Sequence, residues 1–412
     1  MQRPCDKWVV VHDGPRDNYQ IPKAFDERGA LSAFVTDWYS RLDRPTSQPF
    51  YAVLPSQCRT WLERRYSREL TTGRVIDFKG SALCFAMGRK LRFRWAGFDH
   101  WDRLLGEKAA NIATRARTNL LSTSYHAADA FRCYKGVGEK ILFQIHPSPR
   151  FLRRLYEDFL QREGLFNGLR NEAEMKASEE ETERWEEEVR LADGIIVASE
   201  FTKRSVEMLK GVGVPVYVVP YGVSLDVFRP RLERSDPRNL TVLFVGSKVA
   251  RKGLHLLLQV WQELRPKSAS LRIAGAGTTD QSILRRFQGV GVQLARLSGP
   301  ELVQEFQNAD LFVLPSLAEG YGHVYLEALA CGTPIVGTEN TAAAELLQEG
   351  ACGFLTRAGD NEALGKCLES ALSNPGKLHK MRAEARRVAE AHTWERFRSA
   401  VYRAATMDAV RA

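Results

Sequence analysis

Short apolar runs alternate with helix-period stretches along the whole chain. In the first half the runs are Trp8–His12, Leu31–Thr36, Phe50–Leu54, Asn119–Ser122, Ile141–Ile145, Gly194–Ala198 and Val216–Val219. In the second half they are Thr241–Gly246, Leu271–Ala274, Val292–Leu297, Asp310–Pro315 and Pro334–Gly337. Such short continuous runs read as strands buried in parallel sheets. The strand–helix–strand rhythm predicts an α/β protein with right-handed crossovers. There are too many strands for one compact sheet, so two domains are expected. The best boundary is Pro220–Pro230, followed by the Pro- and charge-rich Arg231–Arg238. It predicts an N-terminal domain over residues 1–228 and a second domain over 229–390. Two Rossmann-like domains facing each other put their strand C-termini on one crevice, where ligands bind.

One strand-to-helix junction carries chemistry. The run Asp310–Ser316 leads into Glu319-Gly320-Tyr321-Gly322-His323-Val324-Tyr325-Leu326-Glu327. A helix is predicted from about Gly322 to Ala330, stopped by Cys331-Gly332-Thr333-Pro334. Free N–H groups and the helix dipole at such a turn favour a phosphate, and glycine lets it approach the backbone. A carboxylate cannot hold a phosphate, but it accepts hydrogen bonds from sugar hydroxyls. A phosphate cradle beside hydroxyl acceptors points to a nucleotide sugar.

With these residues, and with Gly332-Thr-Pro-Ile-Val336 after them, the segment resembles the signature of the retaining glycosyltransferases of group one, or family 4. The resemblance covers Gly246 to about Arg357 and extends to Asp193–Pro230. It implies the GT-B fold and sugar transfer from a nucleoside diphosphate to a hydroxyl of a lipid-linked, polysaccharide or small-molecule acceptor. Gly246-Ser247-Lys-Val-Ala-Arg251-Lys252-Gly253 is similar to the family's phosphate-binding G-R-x-x-x-x-K-G. Lys252 and Gly253 match; Ser247 stands where the arginine belongs, and Arg251 is expected to supply that charge. The resemblance implies that Gly320, Tyr321 and Gly322 bind the donor, that Glu319 meets sugar hydroxyls and that Glu327 meets the ribose diol. It sets Gly275-Ala-Gly277 against the base, and it makes residues 391–412 a last helix crossing back onto the first domain. Gly14-Pro-Arg-Asp-Asn-Tyr19 departs from the family's glycine pair, and Thr341-Ala-Ala-Ala-Glu345 lacks another, so Glu345 is left out of the site.

His146 ends the strand Ile141–Ile145, and Pro147 holds it extended. Ser148 and Pro149 read as the N-cap and first turn of a helix over Arg150–Leu160. That sets the imidazole at the crevice rim, and in the family such a histidine faces the donor sugar. The expected catalytic set is therefore His146, Lys252 and Glu319. His126 is its rival, and His12 and Gly14 join His126 as acceptor-side candidates. His100, His255, His379 and His392 read as packing or surface residues.

Composition narrows the alternatives. No apolar run approaches the roughly 18 residues of a membrane span. The start of the chain runs straight into a strand, which predicts no signal peptide. The seven cysteines are scattered and lack C-x-x-C spacing, which fits a reducing cytosol. The net charge of +9 reads first as a solvated surface, next as peripheral contact with anionic membrane, and last as nucleic-acid binding, for which no reader motif appears. The glutamate-dense stretch Arg162–Arg190 reads as an exposed helix. No Asp-x-Asp occurs, so no metal is expected on the diphosphate. A GT-B epimerase or phosphorylase is the alternative enzyme; a dehydrogenase lacks its dinucleotide fingerprint.

Overall fold

The computed structural model describes residues 6–42, 51, 54–91, 98–162, 166–209, 211, 213–231, 239–275, 285–294, 297, 299–349 and 351–406. Seven strands form the first sheet: β1 (Trp8–Val11), β2 (Leu31–Thr36), β3 (Val75–Asp77), β4 (Asn119–Thr123), β5 (Lys140–Gln144), β6 (Gly194–Val197) and β7 (Val216–Val218). Their order is β3-β2-β1-β4-β5-β6-β7. Six form the second: β8 (Leu240–Val245), β9 (Ala269–Ala274), β10 (Val292–Gln293), β11 (Leu311–Val313), β12 (Ile335–Thr338) and β13 (Gly353–Thr356), ordered β10-β9-β8-β11-β12-β13. Every strand pair is parallel.

The first sheet carries α1 (Gln20–Asp26), α2 (Ser56–Arg64), α3 (Lys79–Lys90), α4 (Phe98–Ala116), α5 (Ala127–Cys133), α6 (Pro149–Leu160), α7 (Ala173–Lys176), α8 (Glu179–Leu191) and α9 (Glu200–Glu207). The second carries α10 (Leu254–Leu264), α11 (Pro300–Asn308), α12 (His323–Ala330), α13 (Ala343–Gln348), α14 (Asn361–Leu372) and α15 (Pro375–Glu390), and α16 (Trp394–Ala405) ends the described chain. Central strands are covered on both faces. In β1, Val9 and Val11 pack in one apolar cluster, while Trp8 and Val10 pack in the other. Full burial of such side chains contributes roughly 1.5–3 kcal/mol each.

The connection between the sheets is tied to the end of the chain. Val223 N–H donates to His392 O at 3.0 Å, and Tyr221 stacks on Phe397 at 5.3 Å. Helix α16 then lies on α1 of the first sheet. There Arg398 donates to Gln20 Oε1 at 2.7 Å, and Tyr402 meets Phe25 at 5.7 Å.

Two strands escaped the sequence reading, β3 and β13. Both are edge strands with only two apolar residues each, Val75-Ile76 and Phe354-Leu355, so neither makes a continuous apolar run. Of the run Val292–Leu297, Val292 and Gln293 form an exposed edge strand, and residues 295–296 lie outside the described residues. The run Phe50–Leu54 falls mostly outside the described residues. Among the described residues, no helix is long and apolar enough to cross a membrane.

Candidate active site

The second domain supplies a carboxylate held by two cations. After β8 the chain passes Gly246 and Ser247 into a 3-10 turn, Ala250–Lys252, and then enters α10. Gly253 makes that entry at φ +70°, and a Cβ there would lie 2.0 Å from Pro315 O. Only glycine lets the N-terminus of α10 press against the end of β11. Leu317 N–H donates to Arg251 O at 2.7 Å, which fastens the turn to the loop carrying Glu319. Lys252 Nζ stands 2.5 Å from Glu319 Oε1, and Arg251 Nη1 donates to the same oxygen. Burial would raise the Glu319 pKa, but Lys252 and Arg251 outweigh it and hold it below its usual value. Glu319 chiefly keeps Arg251 protonated. Two cations beside the free N–H groups of a helix N-terminus suit a phosphate.

The first domain closes on this cluster. Gln144 donates to His146 O at 2.7 Å, fixing the turn after β5. Ser148 occupies the N-cap of α6 as expected, but its hydroxyl caps nothing; its N–H donates to Ser205 Oγ at 2.9 Å. A Cβ on Gly320 would lie 2.4 Å from Ile145 O, so the two walls meet beside His146 and glycine is required there. Gly320 O accepts from Ser199 Oγ at 2.6 Å and Thr202 Oγ1 at 3.0 Å. Glu345 also bridges the domains, accepting from Glu200 N–H at 2.5 Å. The His146 residue is open to solvent in the crevice. The surrounding protein and then Arg251, Arg16 and Lys252 lower its pKa to about 4, so the ring is neutral near pH 7.

The acidic stretch is more than an exposed helix. Glu172, just before α7, accepts from Arg251 N–H at 3.1 Å and lies 3.5 Å from Arg251 Nε. Arg251 is thus gripped from both domains and is not a solvated turn. On α8, Glu188 is fully buried and accepts from Tyr125 N–H at 3.0 Å and Ala127 N–H at 3.1 Å. Burial pushes it up to about 7, against those bonds and Arg184. It satisfies the start of α5, a role that a run of glutamates does not announce.

The acceptor-side candidates sit differently from expectation. His12 does not reach the crevice: it is fully buried, 4.7 Å from Phe34, and burial lowers its pKa to about 4. Nor does His126 present a free ring. It is buried between Asp13, at 3.4 Å from Nε2, and Asp102, at 3.3 Å from Nδ1. Burial would lower its pKa, but the two carboxylates raise it on balance. Gly14 N–H donates to Asp37 Oδ1 at 2.8 Å. Beyond it, Asp17, Asn18 and Tyr19 hold positive φ of 46°, 50° and 64°. Left-handed backbone at non-glycine residues is strained and clusters at functional sites. Asp17 there pairs across the crevice with His323 Nε2 at 3.4 Å.

His146, Arg251, Lys252, Glu319 and Gly320 thus come together. Gly322 is the N-cap of α12, and Glu327 is half-buried one turn further on, its pKa raised by burial. Among the described residues the Glu327 carboxylate makes no hydrogen bond. Ser247 is exposed. Tyr321 turns its ring into the core, 5.3 Å from Tyr221, so its side chain is not a donor contact. Gly277 lies outside the described residues; at Gly275 a Cβ would strike Gly246 O. His255 and His392 are buried packing residues, and His100 and His379 are exposed. Sequence reasoning missed Asp13, Asp102, Glu172, Ser199 and Thr202. Only Glu172 had a signal, in the acidic run set aside as surface.

Comparison with known proteins follows the same lines. The family model for glycosyl transferases group 1 matches residues 229–388. The chain is 28% identical over 246 residues to a D-inositol 3-phosphate glycosyltransferase of Rhodococcus jostii, covering 53% of this chain and 54% of that one. It is 29% identical over 189 residues to a phosphatidyl-myo-inositol mannosyltransferase of Mycobacterium leprae, covering 44% and 50%. The chain spans about half the length of these curated relatives. Among solved structures, sucrose-phosphate synthase of Thermosynechococcus elongatus superposes with a TM-score of 0.67 at 15% identity, covering 98% of both chains. Anabaena HepE in complex with UDP-glucose gives 0.61 at 15% identity, covering 98% of this chain and 99% of that one. The fold is therefore GT-B, and its second domain, residues 229–388, is similar to the group 1 glycosyl transferases.

Proposed function

We propose that the protein transfers a hexose from a nucleoside diphosphate sugar to a hydroxyl of a lipid-linked, polysaccharide or small-molecule acceptor, with retention of anomeric configuration. The observation that carries this reading is the Arg251–Glu319–Lys252 cluster at the N-terminus of α10, facing a neutral His146 across the crevice. The group 1 match favours transfer over the epimerase and phosphorylase alternatives. The UDP-glucose held by Anabaena HepE and the names of the curated relatives support a nucleotide-sugar donor.

In this mechanism the diphosphate lies against Lys252, Arg251 and the amides of Gly320–Gly322. The bond from the anomeric carbon to the β-phosphate oxygen breaks first in part, giving an oxocarbenium-like centre. The acceptor oxygen bonds to that carbon from the same face, and its proton passes to the departing β-phosphate. The cations stabilise the charge that develops, usually the largest catalytic term. Glu319 accepts from sugar hydroxyls, Glu327 from the ribose diol, and His146 contacts the sugar near the reacting carbon. Cys58 and Cys84 are exposed free thiols, which suits a reducing cytosol as the site of reaction.

Two results are expected. Transfer persists in EDTA, because fixed cations neutralise the diphosphate. Complete loss in EDTA, restored by magnesium or manganese, would contradict this. Glu172→Gln raises the donor KM about fivefold to tenfold, since Arg251 loses one charged anchor worth roughly 1–1.5 kcal/mol at this part-open position, while kcat changes less. Steady-state kinetics with a nucleotide sugar test both; an unchanged KM in Glu172→Gln would mean that Arg251 needs only Glu319.

A further inference from the structure

Helices α6, α8 and α9 of the first domain wall a cavity of about 300 Å³ that shares no residue with the cluster around Glu319. One side is cationic. Arg150 and Arg154 stand one turn apart on α6 and so share a face, and Arg190 joins them from α8. The other side is apolar, with Phe151 from α6 and Met208 and Leu209 just after α9. Met208 is 63% exposed, so folding makes little use of it. A few convergent charges against an apolar wall are the make-up of a small-molecule site.

The charges are unbalanced. Among the described residues lining the cavity, Glu186 is the one carboxylate. It is buried, accepts from Arg150 Nε at 2.9 Å and lies 3.8 Å from Arg190 Nη1. Glu179 and Glu183 hold the same two arginines from the exposed rim, where ion pairs are weak and yield to a stronger anion. Arg154 is exposed and, among the described residues, has neither an ion pair nor a hydrogen bond. Three arginines against one lining carboxylate favour a doubly charged phosphate monoester, which guanidinium forks bind in pairs of hydrogen bonds. Phe151 and Met208 offer the surface for its organic group.

The floor of the cavity connects to both walls of the crevice. Ser205 Oγ, in the lining, accepts from Ser148 N–H at 2.9 Å and donates to Thr202 O at 2.6 Å. Ser148 lies two residues after His146. Thr202 Oγ1 donates to Gly320 O at 3.0 Å. An occupant that clamps α6 to the end of α9 therefore braces the His146 turn and the glycine turn together.

We propose that this cavity is an effector site for a small organic phosphate monoester, whose binding steadies the closed crevice and tightens its hold on a nucleoside diphosphate. Occupancy of the cavity does not rest on the transferase reading; the effect on the diphosphate does.

Phenyl phosphate is the probe, with phenol and inorganic phosphate as its two halves. It is expected to raise the melting temperature of the full chain more than either half does. Arg154→Glu should melt like wild type without the probe, because the side chain is exposed, and should lose about tenfold or more of the affinity for it. Lys252→Ala, which weakens the crevice and leaves the cavity intact, should keep that affinity. Calorimetry of a nucleoside diphosphate at saturating phenyl phosphate should show tighter binding in the wild type and no change in Arg154→Glu. No stabilisation by phenyl phosphate overturns the inference. So does an affinity lost in Lys252→Ala and kept in Arg154→Glu, which would place the probe in the crevice. Diphosphate affinity indifferent to the filled cavity removes the effector role and overturns it equally. The two readings fail separately: a protein that ignores phenyl phosphate sinks the cavity site, and one that ignores every nucleoside diphosphate sinks the transferase.

Discussion

Glu319→Gln lowers kcat by about 10²-fold or more while nucleoside diphosphate binding holds or tightens. The two effects part because Glu319 faces two ways. In the proposed mechanism it accepts from the sugar hydroxyls. Toward the protein it neutralises Lys252 and Arg251, both bonded to its Oε1. Amidation removes that negative charge and frees Lys252 for the diphosphate, with Arg251 still held by Glu172. The same change removes the charged acceptor that positions the sugar. Single-turnover kinetics with a nucleotide sugar, beside calorimetry with the free nucleoside diphosphate, separate the two. Turnover near wild type would remove Glu319 from the site. Diphosphate binding that collapses together with kcat would make it a structural residue.

Lys252→Ala has the opposite signature. Its ammonium sits at the N-terminus of α10 against Glu319, and a charge-assisted phosphate contact contributes roughly 1.5–3 kcal/mol. Its loss should weaken the donor and the free nucleoside diphosphate alike, by about tenfold to 150-fold, and slow departure of the diphosphate as well. Glu319 keeps Arg251 as its partner, so the fold should survive, and a melting curve checks that. Arg251→Ala should cost less, because Glu172 and Glu319 already occupy much of its guanidinium. If Arg251 carries the charge missing at Ser247, then Ser247→Arg should partly restore Arg251→Ala. No restoration would leave Lys252 acting with the helix N-terminus alone.

The parallel α/β architecture was legible because its central strands are continuous apolar runs, and the glycine turn before α12 was legible because two glycines between a strand and a helix stand out in composition; Gly320 is needed where Ile145 O approaches and Gly322 at its φ of +92°. What stayed hidden is tertiary. Glu172 and Glu188 belong to a run whose local pattern reports only charge; their roles arise because α7 and α8 fold back onto Arg251 and onto the start of α5. His126 looked like a strand-end candidate because sequence cannot show that Asp13 and Asp102 close on its two nitrogens. His12 was misplaced for a related reason: a ring after a strand can face the crevice or the core, and here Phe34 and Tyr19 receive it. The loop Asp17–Tyr19 defied the glycine rule because neighbouring contacts, among them Asp17 to His323, hold residues that would not adopt that backbone alone. Strands β3 and β13 lie at sheet edges and carry only two apolar residues each, too few to stand out as an apolar run.

Calorimetric titration of nucleoside diphosphates and the matching nucleosides into the wild-type protein tests the central claim most directly. The expected result is saturable binding of at least one diphosphate, far tighter than its nucleoside, with stabilisation of about 2.7 kcal/mol at 100 times Kd in a parallel melting experiment. No binding across the nucleoside diphosphate series, or equal affinity for the nucleosides, would contradict a diphosphate held between Lys252, Arg251 and the glycine turn.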